Sequence, residues 1–419
     1  MPRSPRPLLL PEPPDPRLRA CVIIPARNEQ ESLPGALRAL AEQTCGRGTP
    51  LPYELYEVIL LINNTTDNSR AVAGQFQRLY PGFRLYIAER NLRTSAAHVG
   101  WARRLLMDEA FRRLEHSEAV DAAILSTDAD TRVAPNWIFR NLIELQNGAD
   151  VIGGRVVVST AEEDLLTQET RMVQKLDHVY RRLVSWTEDR FDPEAHDPWP
   201  RHHHHFSASL AIRPHVYRAV GGVPPRRFLE DVAFYDRLRR YDVRIRHSNT
   251  VRVFTSARLA SRTKFGLGRL LSDWQKSGAA ALHARVETRA FLEYLFSTRR
   301  CLRALWQGED EAAASLIELS CSTGLRRSTL TCEAQQARYF GTLLERIGFY
   351  AACRRTWPAW RRLAPLDAVV EEMYDAFKST QRQQPALYGS LAYASQSASA
   401  NGHSRSTQVL TGANPLARA

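Results

Sequence analysis

The chain has no long apolar run. Nowhere do about eighteen apolar residues follow one another, so no membrane span is expected. Cysteine is sparse: Cys21, Cys45, Cys301, Cys321, Cys332 and Cys353 are six thiols in 419 residues, and no two form a CxxC pair. That scatter suits reduced, structural cysteines and a cytoplasmic location. Acidic charge is in deficit. Asp and Glu number 45 against 57 Lys and Arg, which leaves a formal charge of +12 and an isoelectric point near 9.7. Such a balance permits nucleotides, phosphates, acidic lipids or nucleic acid as partners. The arginines are spread along the whole chain, without the clustered basic face and interleaved aromatics of a nucleic-acid binder. The start, "MPRSPRPLLLPEPPDPRLRA", offers only three leucines between prolines, too little for a signal peptide. No internal repeat is present.

A hydrophobic content of 44% with 24% charged residues describes a globular protein with a core. The length allows one large domain and a smaller one. Residues 1–19 form a proline-rich arm. From Ala20 the pattern becomes periodic. "ACVIIPA" reads as a buried strand, and Leu33, Leu37 and Leu40 recur at helical spacing after it. "YEVILLINN" (56–64) is a second strand, followed by a helix with Thr66 or Asp67 as its cap. "FRLYIAER" (83–90), a helix over 95–115 and a strand over 120–130 continue the series. Strands alternating with helices predict an α/β fold with a mostly parallel central sheet covered on both faces. The alternation loosens after "DVIGGRVVV" (150–158). Residues 264–378 read as a helical accessory region, with Trp306, Trp357 and Trp360 packing it against the rest or meeting a membrane surface peripherally. Residues 379–419, rich in Ser, Gln, Ala and Asn, read as a disordered tail.

In such sheets ligands bind beyond the carboxyl ends of the strands. Three of these ends carry polar clusters: Arg27-Asn28-Glu29, Asn63-Asn64, and Asp128-Ala129-Asp130. Two carboxylates at one strand end repel each other unless a cation sits with them, and they suit a hard divalent ion shared with a phosphate. A capped turn before Pro135 is the plainer reading of the same residues. Farther on, "FLEDVAFYDRL" sets Glu230 and Asp231 at a helix start. That position stabilises carboxylates by the helix dipole, and it can equally present a general base. Neighbouring side chains diverge, so one of them, Asp231, is expected to reach a substrate while Glu230 steadies the site.

The series "VIIPARNEQESLPGALRAL", "VILLINNTTDNS", "STDADTRVAPNW", "SASLAIRPHVYRAVGG" and "LEDVAFYDRL" resembles the family 2 glycosyltransferases of GT-A fold, over residues 20–263. The resemblance implies a nucleotide-sugar donor, a hydroxyl acceptor, Mn²⁺ or Mg²⁺, and inversion at the anomeric carbon. It implies that Asp128 contacts the donor and also borders the metal, that Asp130 ligates the metal, and that Asp231 is the base. It also carries Pro25, Arg27, Asn28 and Glu29 to the nucleotide pocket. Inversion in one step needs no enzymatic nucleophile, and none stands out.

The chain departs from the family pattern at several positions. Asn63 and Asn64 stand where many relatives carry an aspartate pair that accepts from the nucleotide base. His98 stands where Asn or Arg is frequent. Arg93, and Arg258 and Arg262 in "TSARLASRTKFGLG", are candidates for phosphate. His247 is a candidate third metal ligand. The run "PRHHHHF" reads as a loop wall beside the substrates or as a polar surface loop, since four consecutive histidines cannot face one ion. The QxxRW motif of processive synthases is absent. Two rivals are a non-catalytic sugar-nucleotide or glycan-binding relative, and a nucleotidyltransferase on a related fold. The second lacks its glycine-rich basic loop, because the first strand is followed here by "PARNEQ".

Overall fold

The computed structural model describes residues 7–8, 10–46, 48–115, 119, 121–158, 166–255, 267–309 and 312–383. The expected alternation forms as β1 (Ala20–Ala26), α1 (Leu33–Ala41), β2 (Tyr56–Asn63), α2 (Ser69–Leu79), β3 (Leu85–Arg90), α3 (Val99–Leu114) and β4 (Ala123–Ser126). There follow β5 (Thr131–Val133), α4 (Trp137–Gln146), β6 (Val151–Val158), α5 (Gln168–Phe191), β7 (Leu210–Ile212), α6 (Pro214–Ala219), α7 (Glu230–Arg240) and β8 (Ile245–Thr255). The eight strands make one sheet in the order β3-β2-β1-β4-β7-β6-β8-β5. β1 runs parallel to β2 and β4, β2 parallel to β3, and β6 parallel to β8. β7 and β5 are the antiparallel members.

Alternate residues of the central strands face opposite layers, as the period of a strand requires. Val22, Ile24, Val58 and Leu60 pack against Leu37 of α1, Phe76 of α2 and Trp137 of α4. Cys21, Ile23, Ile59 and Leu61 face Leu106 of α3, Tyr217 of α6 and Phe234 of α7. On this second face Glu57 and Arg113 are fully buried and joined by two bonds of 2.5 and 2.6 Å. A buried charge is tolerated only when paired and hydrogen-bonded in this way. Arg113 also donates to the carbonyl of Glu12, and Leu8 and Leu18 are buried in the same layer, so this part of the proline-rich segment lies against α3.

Two boundaries differ from expectation. The helix expected from residue 95 starts at Val99, because the preceding residues form turns in which Arg93 O accepts from Ala96 N and Ala96 O from His98 N. The strand expected over 120–130 ends at Ser126. Asp128 O then accepts from Thr131 N, which closes a turn and starts β5 in a new direction.

Beyond residue 267 the chain is mainly helical: α8 (Leu267–Ser277), α9 (Arg289–Gln307), α10 (Ala312–Thr323), α11 (Arg327–Gln336), α12 (Phe340–Arg346), α13 (Phe349–Thr356), α14 (Ala359–Arg362) and α15 (Leu366–Gln383). An antiparallel pair, β9 (Arg285–Glu287) and β10 (Leu363–Pro365), was not foreseen. This region has its own core, with Phe291, Leu302, Leu343, Phe349 and Met373, and Leu183 of α5 joins it. Trp306 and Trp357 pack against that core, while Trp360 stands exposed. Among the described residues no helix is long and apolar enough to cross a membrane. Most of the expected tail, residues 384–419, lies outside the described residues.

Candidate active site

The strand order reverses between β1 and β4, and such a switch point opens a crevice at the carboxyl ends. The sequence builds that opening locally. Ile23 O accepts from Thr127 N, so Pro25, two residues on, also turns its backbone toward β4. Proline has no N–H to offer there. The pairing of β1 with β4 ends at Ile23 and Ser126, while β1 stays paired with β2 through Ala26. Past Ser126 the chain leaves the sheet and carries Asp128 and Asp130 over the crevice. The Thr127 side chain is buried, and its Oγ1 has no hydrogen-bond partner among the described residues.

The other two polar clusters frame the same opening. Asn28 and Asn64 both adopt left-handed backbone angles, with φ of 55° and 50°, at the ends of β1 and β2. Asparagine tolerates that region better than most residues. Asn28 Oδ1 accepts from Thr66 N at 2.8 Å. Glu29 N donates to Ser69 Oγ, and Asp67 accepts from Gln30 N and Ser69 N, so Asp67 braces the start of α2, although the N-cap position falls on Asn68 rather than on Thr66 or Asp67. Arg27 is exposed and reaches the carbonyl of Ala97 at 3.4 Å, before α3. Arg93 is exposed on the same loop. Asn64 makes two bonds to the backbone of Leu92, donating to its carbonyl and accepting from its N–H. Its amide therefore locks β2 to the end of β3. Asn63, buried beside it, is the member of the pair nearer to a free role, with one long 3.5 Å bond to Asn64 Oδ1.

Arg103 of α3 is the residue the motif reading missed. It is almost fully buried, and its three nitrogens reach three partners: Ser126 Oγ at 2.6 Å, Asp128 Oδ1 at 2.9 Å and Glu230 Oε1 at 3.3 Å. Burial works against its charge, but Asp128 and Glu230 outweigh that and hold the guanidinium firmly protonated. It supplies a cation to Asp128, one of the two neighbouring aspartates, and to Glu230. The only sequence signal was an arginine at the start of a helix whose turn faces the sheet. Arg103, Leu106 and Ala110, spaced as one helical face, are all buried.

Glu230 and Asp231 open α7 from the other side. The preceding Leu229 has φ of 55°, a strained angle for a branched side chain, and it turns the chain sharply into the helix. Glu230 faces inward to Arg103; burial pushes its carboxyl up, Arg103 pulls it back and Asp231 adds to the rise. Asp231 is half-buried and accepts from Val232 N, so the two carboxylates diverge as adjacent helical residues must. The loop before them is fixed by contact with α3. A Cβ on Gly100 would stand 2.0 Å from the carbonyl oxygen of Arg226.

His247 is not brought to the aspartates. Its Nδ1 pairs with Asp197 Oδ2 at 2.7 Å, and its backbone N–H binds Oδ1 of the same carboxylate. Burial notwithstanding, the His247 hydrogen bond and the Arg201 charge hold Asp197 well below the usual carboxylate range. Register gives the reason for the separation. His247 sits beside Gly153, whereas Thr255 sits beside Val158 and pairs with Thr131, next to Asp130. Five residues of strand put His247 about 16 Å back along the sheet. Among the described residues no group of three His, Cys, Asp or Glu forms a metal cage.

Among the described residues the histidine run belongs to no group of three that could hold an ion, and it is not a wholly exposed surface loop. His202 and His204 are buried. His202 Nδ1 accepts from His204 N, which leaves Nε2 to donate to Ser248 O at 3.1 Å. His204 Nδ1 accepts from Val156 N of β6, and His205 stacks on Tyr235 of α7 at 4.2 Å. The run therefore braces β6, β8 and α7 from inside. Arg258 and Arg262 lie outside the described residues.

Three comparisons bear on this chain. Residues 21–218, a little under half of it, match the family model described as glycosyl transferase family 2. The glycosyltransferase AglE of Haloferax volcanii is 26% identical over 136 residues, which span 32% of this chain and 38% of that protein. Among solved structures, the mannosyltransferase PcManGT of Pyrobaculum calidifontis, in complex with GDP-Man and Mn²⁺, aligns at 16% identity over 82% of this chain and 89% of its own, with a TM-score of 0.42. Residues 1–349 of TarS from S. aureus, in complex with UDP-GlcNAc, align at 12% identity over 86% and 92%, with a TM-score of 0.40.

Proposed function

We propose, from the match of residues 21–218 to the family model described as glycosyl transferase family 2, that the chain is a metal-dependent inverting glycosyltransferase that moves a sugar from a nucleotide-sugar donor to a hydroxyl acceptor. The observation that carries this reading is the meeting of Asp128 and Glu230 on one buried arginine, which joins the donor motif and the base motif at one crevice.

The residues fit a divalent ion. Asp130 and the outer oxygen of Asp128 offer hard oxygen donors, the Asp128 side chain is 36% exposed toward the opening, and Thr127 Oγ1 lies unsatisfied between strand and aspartates. Two carboxylates suit an ion whose remaining ligands are substrate phosphates, and Mn²⁺ or Mg²⁺ is that kind of ion. When bound, it supplies positive charge to the departing diphosphate. The chain's own groups do the rest. Asp128 positions the donor, while Arg27 and Asn28, with Pro25 and Glu29 shaping the turn, line the nucleotide side. Arg93 of the described residues, and Arg258 and Arg262 beyond them, are the phosphate-directed cations in this reading. Asp231, half-buried at the N-terminus of α7, takes the proton from the acceptor hydroxyl. Displacement in one step inverts the anomeric carbon.

The test is nucleotide release from UDP-, GDP- and dTDP-sugars with Mn²⁺, followed by NMR of the anomeric proton in the first glycoside formed. An inverted product supports the reading. A product of retained configuration would contradict it.

A further inference from the structure

We propose that Arg103 is a positioning residue that couples the donor side of the crevice to the base, an assignment that rests on the transferase reading above. It touches neither family motif in sequence, yet it is bonded to both in space. Its Nη2 holds Asp128, which follows β4, and its Nε holds Glu230, which adjoins Asp231 in α7. Its Nη1 is fixed by Ser126 Oγ at the last residue of β4, so the guanidinium plane has one orientation.

The chemistry needs arginine. A guanidinium is a planar fork whose nitrogens diverge at fixed angles, and here three of them serve three different acceptors. A lysine ammonium carries the same charge at one point and cannot span them. Among the described residues, Arg103 forms the ion pairs of both Asp128 and Glu230. Asp231 contributes to the same field, as the third carboxylate whose charge supports the protonated Arg103. A displacement of Asp128 when a donor engages it is therefore felt by Glu230 through a single rigid group. The base is placed by the same contact that orders the donor carboxylate. Gly100 of α3 lies directly against the backbone of Arg226, three residues before Leu229, so the arginine's helix packs on the loop that delivers the base.

Two experiments separate this role from simple structural support. In the first, Arg103→Lys is compared with the wild type for nucleotide release from whichever nucleotide-sugar the wild type uses. The charge is retained, so donor KM should stay within about threefold, whereas kcat should fall about 100-fold, the usual loss from misplacing a reacting group. A variant with unchanged kcat overturns the proposal. So does one in which kcat falls only in step with the folded fraction read by circular dichroism. The second experiment needs no activity. Asp128→Asn, Glu230→Gln and the double variant are melted in the wild-type background and again with Arg103→Met. The two substitutions should be non-additive while Arg103 is present and additive once it is gone. Additivity in both backgrounds overturns the coupling. If the wild type releases no nucleotide from any donor, the transferase reading fails by itself, and the melting cycle still decides whether Arg103 couples the two carboxylates.

Discussion

At the scale of single residues, the site is a matter of which carboxylate faces which partner. Asp231 is half-buried and diverges from Glu230, which is buried against Arg103. Asp231→Asn should therefore lower turnover by about 100- to 10,000-fold, the span of a lost general base. Calorimetry should show donor binding preserved, and retained turnover would remove the base role. Asp130→Ala should abolish the Mn²⁺-dependent part of nucleotide binding; an equal affinity with and without Mn²⁺ in the wild type would contradict that. The aspartates and the Glu-Asp pair were legible in the sequence because they sit at strand and helix ends, where hydrophobic periodicity stops. Arg103 was not, because a buried arginine inside a helical pattern looks like any other helical residue until its partners are known. His247 misled for the opposite reason. Nearness in sequence to a motif says nothing about register, and register places it beside Gly153 with Asp197 as its partner.

Elements carry their own consequences. α3 approaches the loop before α7 so closely that Gly100→Ala would force a Cβ against the Arg226 carbonyl. Overpacking of that kind costs about 1–3 kcal/mol, and activity should fall further than stability because the displaced loop delivers Asp231. The histidine loop and His178 of α5, whose ring lies 6.4 Å from that of His204, make a pH prediction. Burial pushes His178 down to about 4 and His204 down to about 3, with Arg155 adding to both, while the unfolded side chains titrate near 6.5. A lowered native value means that the unfolded chain takes up protons first as the pH falls. Stability is thus complete above pH 6.5 and declines from there through about pH 4 toward pH 3. Urea unfolding across that range should show the decline, and His178→Gln should remove part of it; an unchanged slope would contradict the assignment. The alternation of strands and helices was readable from periodicity up to β4. The antiparallel β5 was not, since three residues after a turn carry too little pattern to show a period.

The whole molecule is joined by charge as well as by apolar packing. Arg299 of α9 is 3% exposed and pairs with Glu188 of α5 at 2.8 Å and with Asp192 beside it. Arg303 meets Asp192 and Glu194, and Glu194 also pairs with Arg239 at the end of α7. The helical region is thereby tied to the helix that begins with Glu230 and Asp231. Arg299→Met removes one of two cations from each of Asp192, which keeps Arg303, and Glu188, which keeps Arg201, and should cost about 1.5–3 kcal/mol in unfolding free energy, read by urea denaturation; a loss under about 1 kcal/mol, as for a surface pair, would contradict the buried network. None of this network was legible beforehand, because it is built from loop residues 192–201 and three separated helices with no common spacing. The central claim remains that the crevice at β1 and β4 binds a nucleotide-sugar together with a metal. The most direct measurement is a calorimetric titration of UDP-, GDP- and dTDP-sugars into the protein, each with and without Mn²⁺. Binding of one nucleotide class that depends on Mn²⁺ is the predicted result, and a well-folded protein that binds none of them would contradict it.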